Sequence, residues 1–563
     1  PVKGALDLLS DATAFASPTN YVNFNVRSAI KSGLDPANNQ IGLAGSLATT
    51  KIANNSKIII ERKTEINANK KLTIEANNNS SITGFGGNMG SLIPIQGTGN
   101  SLGGTMLYQD FDNSAVVAVA EGSKLSGGDI AVNANNKVLN VTGALSAGKG
   151  DSTINGMVSY NSGSTNALVS IDDEVKIQAN KSGDNKGLVN VGTDNDNVVV
   201  NVAGAVGVAS GASVGAGVAI NDFSVNNIAK IADNDTDELT ALLANGGTND
   251  LFAKNILTKD NNLITISGAG IGVNAGSSGI ISSNSIAAAV SKKGDSGEEG
   301  FFDKLGKKVE AKEDAVFGKV TGNLKKVDDV ASKGLGLIAG KLGKDLGDKM
   351  SSGNTNQGGG TSKVDLNENA NKNTPSFSLG LAGSASVNLI NNKTEANVDG
   401  AKIDLSQGTS GKGDLSIAAV DKTWQSAASG AATIQWLNIT KSSTNSTSVA
   451  LNGAVAVNKS DIDTNAYLKN SIIDNVDNLN VEALSGGGQV AAGLGLAVTK
   501  SSGSEGQSYS GGASVSLNLI EHNVNALAEK NTVTGTDKGK LDVTAYESDV
   551  TVTGGVNISA GKS

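Results

Sequence analysis

The feature that most constrains this chain is an internal repeat. Four segments share one pattern: GAGVAINDFSVNNIA, GSASVNLINNKTEA, GAVAVNKSDIDTNA and GASVSLNLIEHNVNA. Each opens on Gly, alternates small with β-branched residues, and places an Asn ahead of a turn-like stretch. The asparagines are Asn221, Asn388, Asn458 and Asn518, and an alanine stands eight positions after each, at Ala229, Ala396, Ala466 and Ala526. Looser copies surround Gln109, Asn161 and Asn284. Successive copies are 52, 60, 63, 70 and 60 residues apart, with one wide gap between Asn284 and Asn388. A period of about 60 residues, held this long, marks a stacked repeat architecture.

Each unit has a second half that alternates in the same way, as in VVVNVAGAVGV, LITISGAGIGV and LDVTAYESDVTVTGGV. Alternation between Gly, Asn and Ser punctuation is a strand pattern. It puts Val198, Val200 and Val202 on one side and Val199 and Asn201 on the other. Rungs of about 20 residues, three to a repeat, predict a rod on the order of 100 Å long. The recurring Asn is assigned to a corner, where its side chain tolerates left-handed backbone and bonds its own main chain. Stacked asparagines can also bond along the axis as a ladder.

Composition supports an all-β array. Gly accounts for 72 of 563 residues, Pro for 5 and aromatics for 3%, so the apolar material is chiefly Ala, Val, Ile and Leu. Such side chains suit thin, repeatedly stacked sheets. Charged residues are only 18%, and β-branched residues are abundant, which sets the chain apart from disordered sequences. The predicted fold is an all-β parallel β-helix (solenoid) built from roughly 60-residue repeats. A stack of β-sandwiches is the alternative, since alternation alone does not separate parallel rungs from hairpins.

Residues 293–375 break the pattern. Phe302, Leu305, Val309, Val316, Val320, Leu324 and Val327 recur at helical spacing, which predicts an amphipathic helical insertion with flexible linkers. The organisation expected is therefore a lead-in over 1–40, solenoid repeats over 41–292, the insertion over 293–375, and further repeats over 376–563. The last residues, GGVNISAGKS, fall where another Asn strand would begin, so the chain is expected to stop inside a repeat of a longer polypeptide. The Lys-rich stretch 301–350 offers a membrane-contact reading, set against packing on the solenoid with its lysines solvated.

Little material for catalysis is present. There is no Cys and one His, His522, which is read as a solvated turn residue. The pairs Asp194/Asp196 and Asp461/Asp463 and the trio Asp233/Asp235/Asp237 are placed in turns, and none completes a calcium-loop motif. No catalytic, cofactor-binding or metal-ligating residue is predicted, no cofactor is expected, and the chain is read as not an enzyme. The formal charge of −9, with Arg27 and Arg62 the only arginines, argues against nucleic acid as a partner. No apolar run reaches the length of a membrane helix, and PVKGALDLLSDATAF lacks the regions of a signal peptide, so any export signal is expected outside this chain.

With these residues in view, VNVAGAVGVASGASVGAGVAINDFSVNNIAKI and VTVTGGVNISAGKS resemble the repeats of leukotoxin-type filamentous adhesins, relatives of the filamentous haemagglutinin-like large exoproteins. The resemblance covers about residues 40–550 outside the insertion. It implies a right-handed parallel β-helix, an outer-membrane secretion partner acting through regions not in this chain, and an extracellular or cell-surface location. It also implies attachment to host cells or extracellular matrix. No catalytic residue carries over, because the matching pattern is structural. The alternatives weighed are the carrier portion of a pore-forming or membrane-active leukotoxin and, behind it, a polysaccharide-degrading β-helix enzyme.

Overall fold

The computed structural model describes residues 11–17, 20–26, 29–31, 40–88, 99–181, 186–232, 263–293, 376–408, 413–438, 446–502 and 506–562. The amino-terminal strands are β1 (Asp11–Ser17), β2 (Asn20–Val26), β3 (Ala29–Lys31), β4 (Gln40–Ile60), β5 (Glu65–Asn67) and β6 (Lys71–Asn88). Next come β7 (Gly99–Val119), β8 (Lys124–Gly127), β9 (Asp129–Ile171), β10 (Lys176–Ala179) and β11 (Leu188–Ile231). They are followed by β12 (Ile264–Ser267), β13 (Gly270–Lys293), β14 (Ser376–Asp399), β15 (Ala401–Asp404) and β16 (Gly413–Asn438). The series closes with β17 (Ser446–Lys469), β18 (Ile472–Ser502), β19 (Gly506–Glu529) and β20 (Thr532–Lys562). Pairing is parallel throughout, except that β1 meets β2 and β3 meets β4 antiparallel.

The chain advances in courses, each made of one short strand, a first long run and a second long run. One course consists of β10, residues 188–209 of β11 and residues 212–231 of β11; each part pairs with its counterpart in the course before and after. A run of some 22 residues spans about 70 Å, whereas the seven second runs (in β4, β7, β9, β11, β14, β17 and β19), stacked at strand spacing, rise only about 30 Å. The stack is broader than it is tall.

Three sequence expectations are corrected here. The unit of about 60 residues is a single course of long strands, not three short rungs, so a slender rod of 60-residue solenoid repeats does not describe the molecule. The step is also uneven: Gln109 pairs with Asn161 after 52 residues, Asn388 with Asn458 after 70, and Asn221 with Asn388 after 167. Finally, there is no helix among the described residues, which overturns a fold class that includes a helical element. The segment read as that insertion, including 301–350, lies outside the described residues.

The core is concentrated where the short strand meets both runs. Leu125, Ile177, Ile266, Ile403 and Ile473 form one fully buried column on the short strands. Ile130, Val189, Ile271, Leu415 and Leu479 face it from the first runs, and Ile171, Ile231, Val398 and Leu468 from the second. A three-sided corner has room for branched side chains. Farther out the two runs lie face to face, and the interior narrows to Ala203, Ala205, Ala219, Ala287, Ala427 and Ala456 with Ser, Asn and Gly between. There a methyl on Gly215 would come within 2.5 Å of the Ala288 carbonyl oxygen, so glycine is what permits the approach.

The described turns into the short strands each have one left-handed position. It is filled by Lys63, Gly122, Glu174, Gly400, Asn470 and Lys530, with φ between 47° and 69°, each two residues ahead of a paired short-strand residue. The corner role predicted for the repeat asparagines belongs to this column.

Candidate functional site

The predicted repeat asparagines lie inside the stack, mid-strand. Asn161, Asn221, Asn388, Asn458 and Asn518 occupy one register column with Gln109. Asn161 Nδ2 donates to Asn221 Oδ1 (3.2 Å), Asn221 to Asn388 (2.9 Å), Asn388 to Asn458 (2.8 Å) and Asn458 to Asn518 (2.9 Å). The second N–H of the last four amides crosses to the facing run, reaching the carbonyl oxygens of Ser282, Ser426, Val490 and Val552. Each amide therefore ties course to course and run to run. Ala229, Ala396, Ala466 and Ala526 also share a column, and the first three are fully buried at the apolar corner. Asn284 is not part of the ladder: it pairs with Val202 and Ala428 on the first runs and points outward.

The outer face of the second runs is unusually apolar. Leu102, Ile154, Val214, Leu381 and Leu451 form one outward column, and Leu47, Met106, Val158, Val218 and Val455 another, two columns along. Ile154 is 53% exposed and Leu451 46%. Between these columns Gly104, Gly156, Ala216, Gly383 and Gly453 make a floor, and a methyl added at any of its four glycines would meet nothing within 4 Å. Beside the second column, Tyr108 and Tyr160 stack with ring centres 5.6 Å apart, and Tyr160 Oη donates to Asp222 Oδ2 (3.0 Å). The result is a shallow apolar channel running across the courses.

A polar cluster lies near the other end of the stack, where β19, the second run of one course, faces the first run of the next in β20. His522 shares inward parity with Asn518, and its side chain is only 5% exposed; it is not a solvated turn residue. Its Nε2 lies 3.1 Å from Ser460 Oγ, which also accepts a hydrogen bond from Gln489 Nε2. Its Nδ1 abuts Asp549 Oδ2 and lies 3.6 Å from Glu547 Oε1. The other oxygen of Asp549 accepts the Gly487 N–H at 3.0 Å. Glu547 is half-exposed and opens the cluster to solvent.

Asp421, Ser485 and Glu547 share a register column, so a second acid lies two courses deeper. Burial pushes the Asp421 carboxyl above the usual carboxylate range, opposed by bonds from the Thr423 N–H (2.9 Å), the Thr423 hydroxyl and Thr394, and by the charge of His522. Asn392 Nδ2 also contacts this carboxylate. The other acids do not converge with it. Asp194, Asp196, Asp461 and Asp463 lie within strands β11 and β17, contrary to the expected turns, and Asp233, Asp235 and Asp237 lie outside the described residues. The site could have been found from parity, because His522 lies four residues beyond an inward Asn.

Comparison with known proteins adds no relative: no protein-family model, no curated protein and no solved structure matches this chain.

Proposed function

We propose that this chain is a structural and adhesive segment of a large secreted bacterial surface exoprotein of the filamentous haemagglutinin-like kind, and that it attaches to a protein of the host-cell surface or extracellular matrix. The observation that carries the reading is the outward apolar channel of the second runs, from Leu47 and Met106 to Leu451 and Val455. Large contiguous apolar patches on soluble proteins mark interaction surfaces. The backbone beneath this one is held rigid by ladders on both sides and by the Asn column inside. Glycines in the floor let a partner's side chains approach the main chain between two apolar walls.

The test is binding of the purified chain to cultured host cells and immobilised matrix glycoproteins, compared with Ile154→Lys and Leu451→Lys. Both side chains point outward, so the fold should persist by circular dichroism. Saturable binding that weakens at least tenfold in both variants is expected. Failure of the wild-type chain to bind, equal binding by the variants, or a channel consumed by self-association of the chain would overturn the reading.

A further inference from the structure

We propose that His522, Glu547 and Asp549 bind a single divalent transition-metal ion of the zinc class. The inference is independent of the adhesive reading and uses a different part of the molecule. Three donor atoms, the imidazole Nδ1 and one oxygen of each carboxylate, lie within 4.8 Å of one another. Around a tetrahedral ion with bonds of about 2.0–2.2 Å, ligand atoms sit roughly 3–4 Å apart. Glu547 Oε1 is already at that spacing from Nδ1, and the abutting Nδ1 and Asp549 Oδ2 would part to admit the ion.

The second observation concerns the buried atoms. His522 Nδ1 and Asp549 Oδ2 are both inaccessible to water and abut one another without a hydrogen bond of ordinary geometry, so both atoms are aimed into the cluster. The opposite atom of each group is already held: His522 Nε2 by Ser460, and Asp549 Oδ1 by the Gly487 amide. Metal sites are built in this way, with outer contacts fixing the tautomer and orientation of a ligand while its other atom faces the ion. Glu547 supplies the third ligand from the solvent side, leaving a fourth position for water. An imidazole nitrogen with two carboxylate oxygens suits zinc, or a neighbouring first-row ion, better than calcium, which takes oxygen ligands.

The ion would bridge β19 to β20. Among the described residues β19 pairs only with β17 and β20 only with β18, so a metal tie between the two facing runs would pin these successive courses together. A proton on Nδ1 is the competing occupant, and metal binding must displace it.

The experiment uses the whole chain, stripped with chelator and titrated with zinc chloride by calorimetry, with thermal melts and zinc-edge absorption spectroscopy on the loaded sample. One equivalent should bind with release of protons. The melting temperature should rise, and the spectrum should show one nitrogen and oxygen ligands at about 2.0–2.2 Å. Glu547→Gln, at a half-exposed position, should weaken binding at least tenfold while the metal-free melt stays unchanged, and Asp549→Asn should weaken it further. No saturable zinc binding by the folded chain, binding unaffected by both substitutions, or calcium binding in preference to zinc would each overturn the proposal.

Discussion

The carboxyl of Asp421 and the amide of Asn392 show how much rests on single polar atoms in so thin an interior. Asp421 is buried, its Oδ2 meets the Asn392 nitrogen, and Asn392 Oδ1 has no hydrogen-bond partner. Protonating Asp421 would let it donate to Asn392 once that amide turns over, which is the arrangement burial favours. Because its pKa is raised on folding, Asp421 contributes stability that is fully present below the ordinary carboxylate value of about 4 and is lost as pH rises through the raised value. Asp421→Asn should therefore melt close to the wild type at pH 4 and above it at pH 7, by about 1–3 kcal/mol. Chelator keeps the His522, Glu547 and Asp549 cluster metal-free in both proteins, so the difference between the two curves is read at Asp421. Parallel curves would refute the assignment.

At the scale of elements, the left-handed position in the described turns ahead of the short strands lies where the second run feeds the next course. Gly400 occupies it with φ +67°, and an added methyl there would touch nothing within 4 Å. Any cost of Gly400→Ala is thus a backbone cost, about 1–2 kcal/mol, partly offset by the reduced freedom of the unfolded chain. Gly453→Ala, also in open space but within β17, should be neutral or slightly stabilising. A chemical-denaturation midpoint that falls for the first and not for the second is the expected pair of results; equal effects would mean that the turn is not what holds Gly400. The strands and their alternation were legible in the sequence, and so were the Asn and Ala columns, because register places identical residues against one another. Strand length was not. Gly204, Gly207, Gly215 and Gly217 looked like turn punctuation but lie inside β11, where two of them let the facing backbones close. The inward face was equally hard to choose: Val198, Val200 and Val202 look like core, yet Val199 and Asn201 are the buried pair and Val202 is 40% exposed. Asn284 misled for a related reason, since GIISSNS carries the same Gly-alternation-Asn grammar on the other run.

For the whole molecule, contacts are almost entirely between successive courses and between the two runs of a course, so stability should be distributed as in a one-dimensional array. In a parallel ladder the amides of alternate residues point to opposite neighbours. The two runs of β11 are paired on both sides, with β9 on one and with β13 and β14 on the other, so nearly every amide there is bonded. β19 and β20 are each paired on one side among the described residues, and their side chains are correspondingly open, with Leu541 at 60% exposure although it continues the buried column of Leu415 and Leu479. Hydrogen exchange followed by mass spectrometry should show β9 and β11 slowest, and β19 and β20 fastest among the long runs from β7 onward, with about every second amide of the latter two unprotected even at short times. Zinc, if it ties His522 to Glu547 and Asp549, should slow exchange around those residues and leave β9 and β11 unchanged. Uniform protection across all courses would contradict the course order itself, because no parallel stack can shield both edges of a strand that has one neighbour.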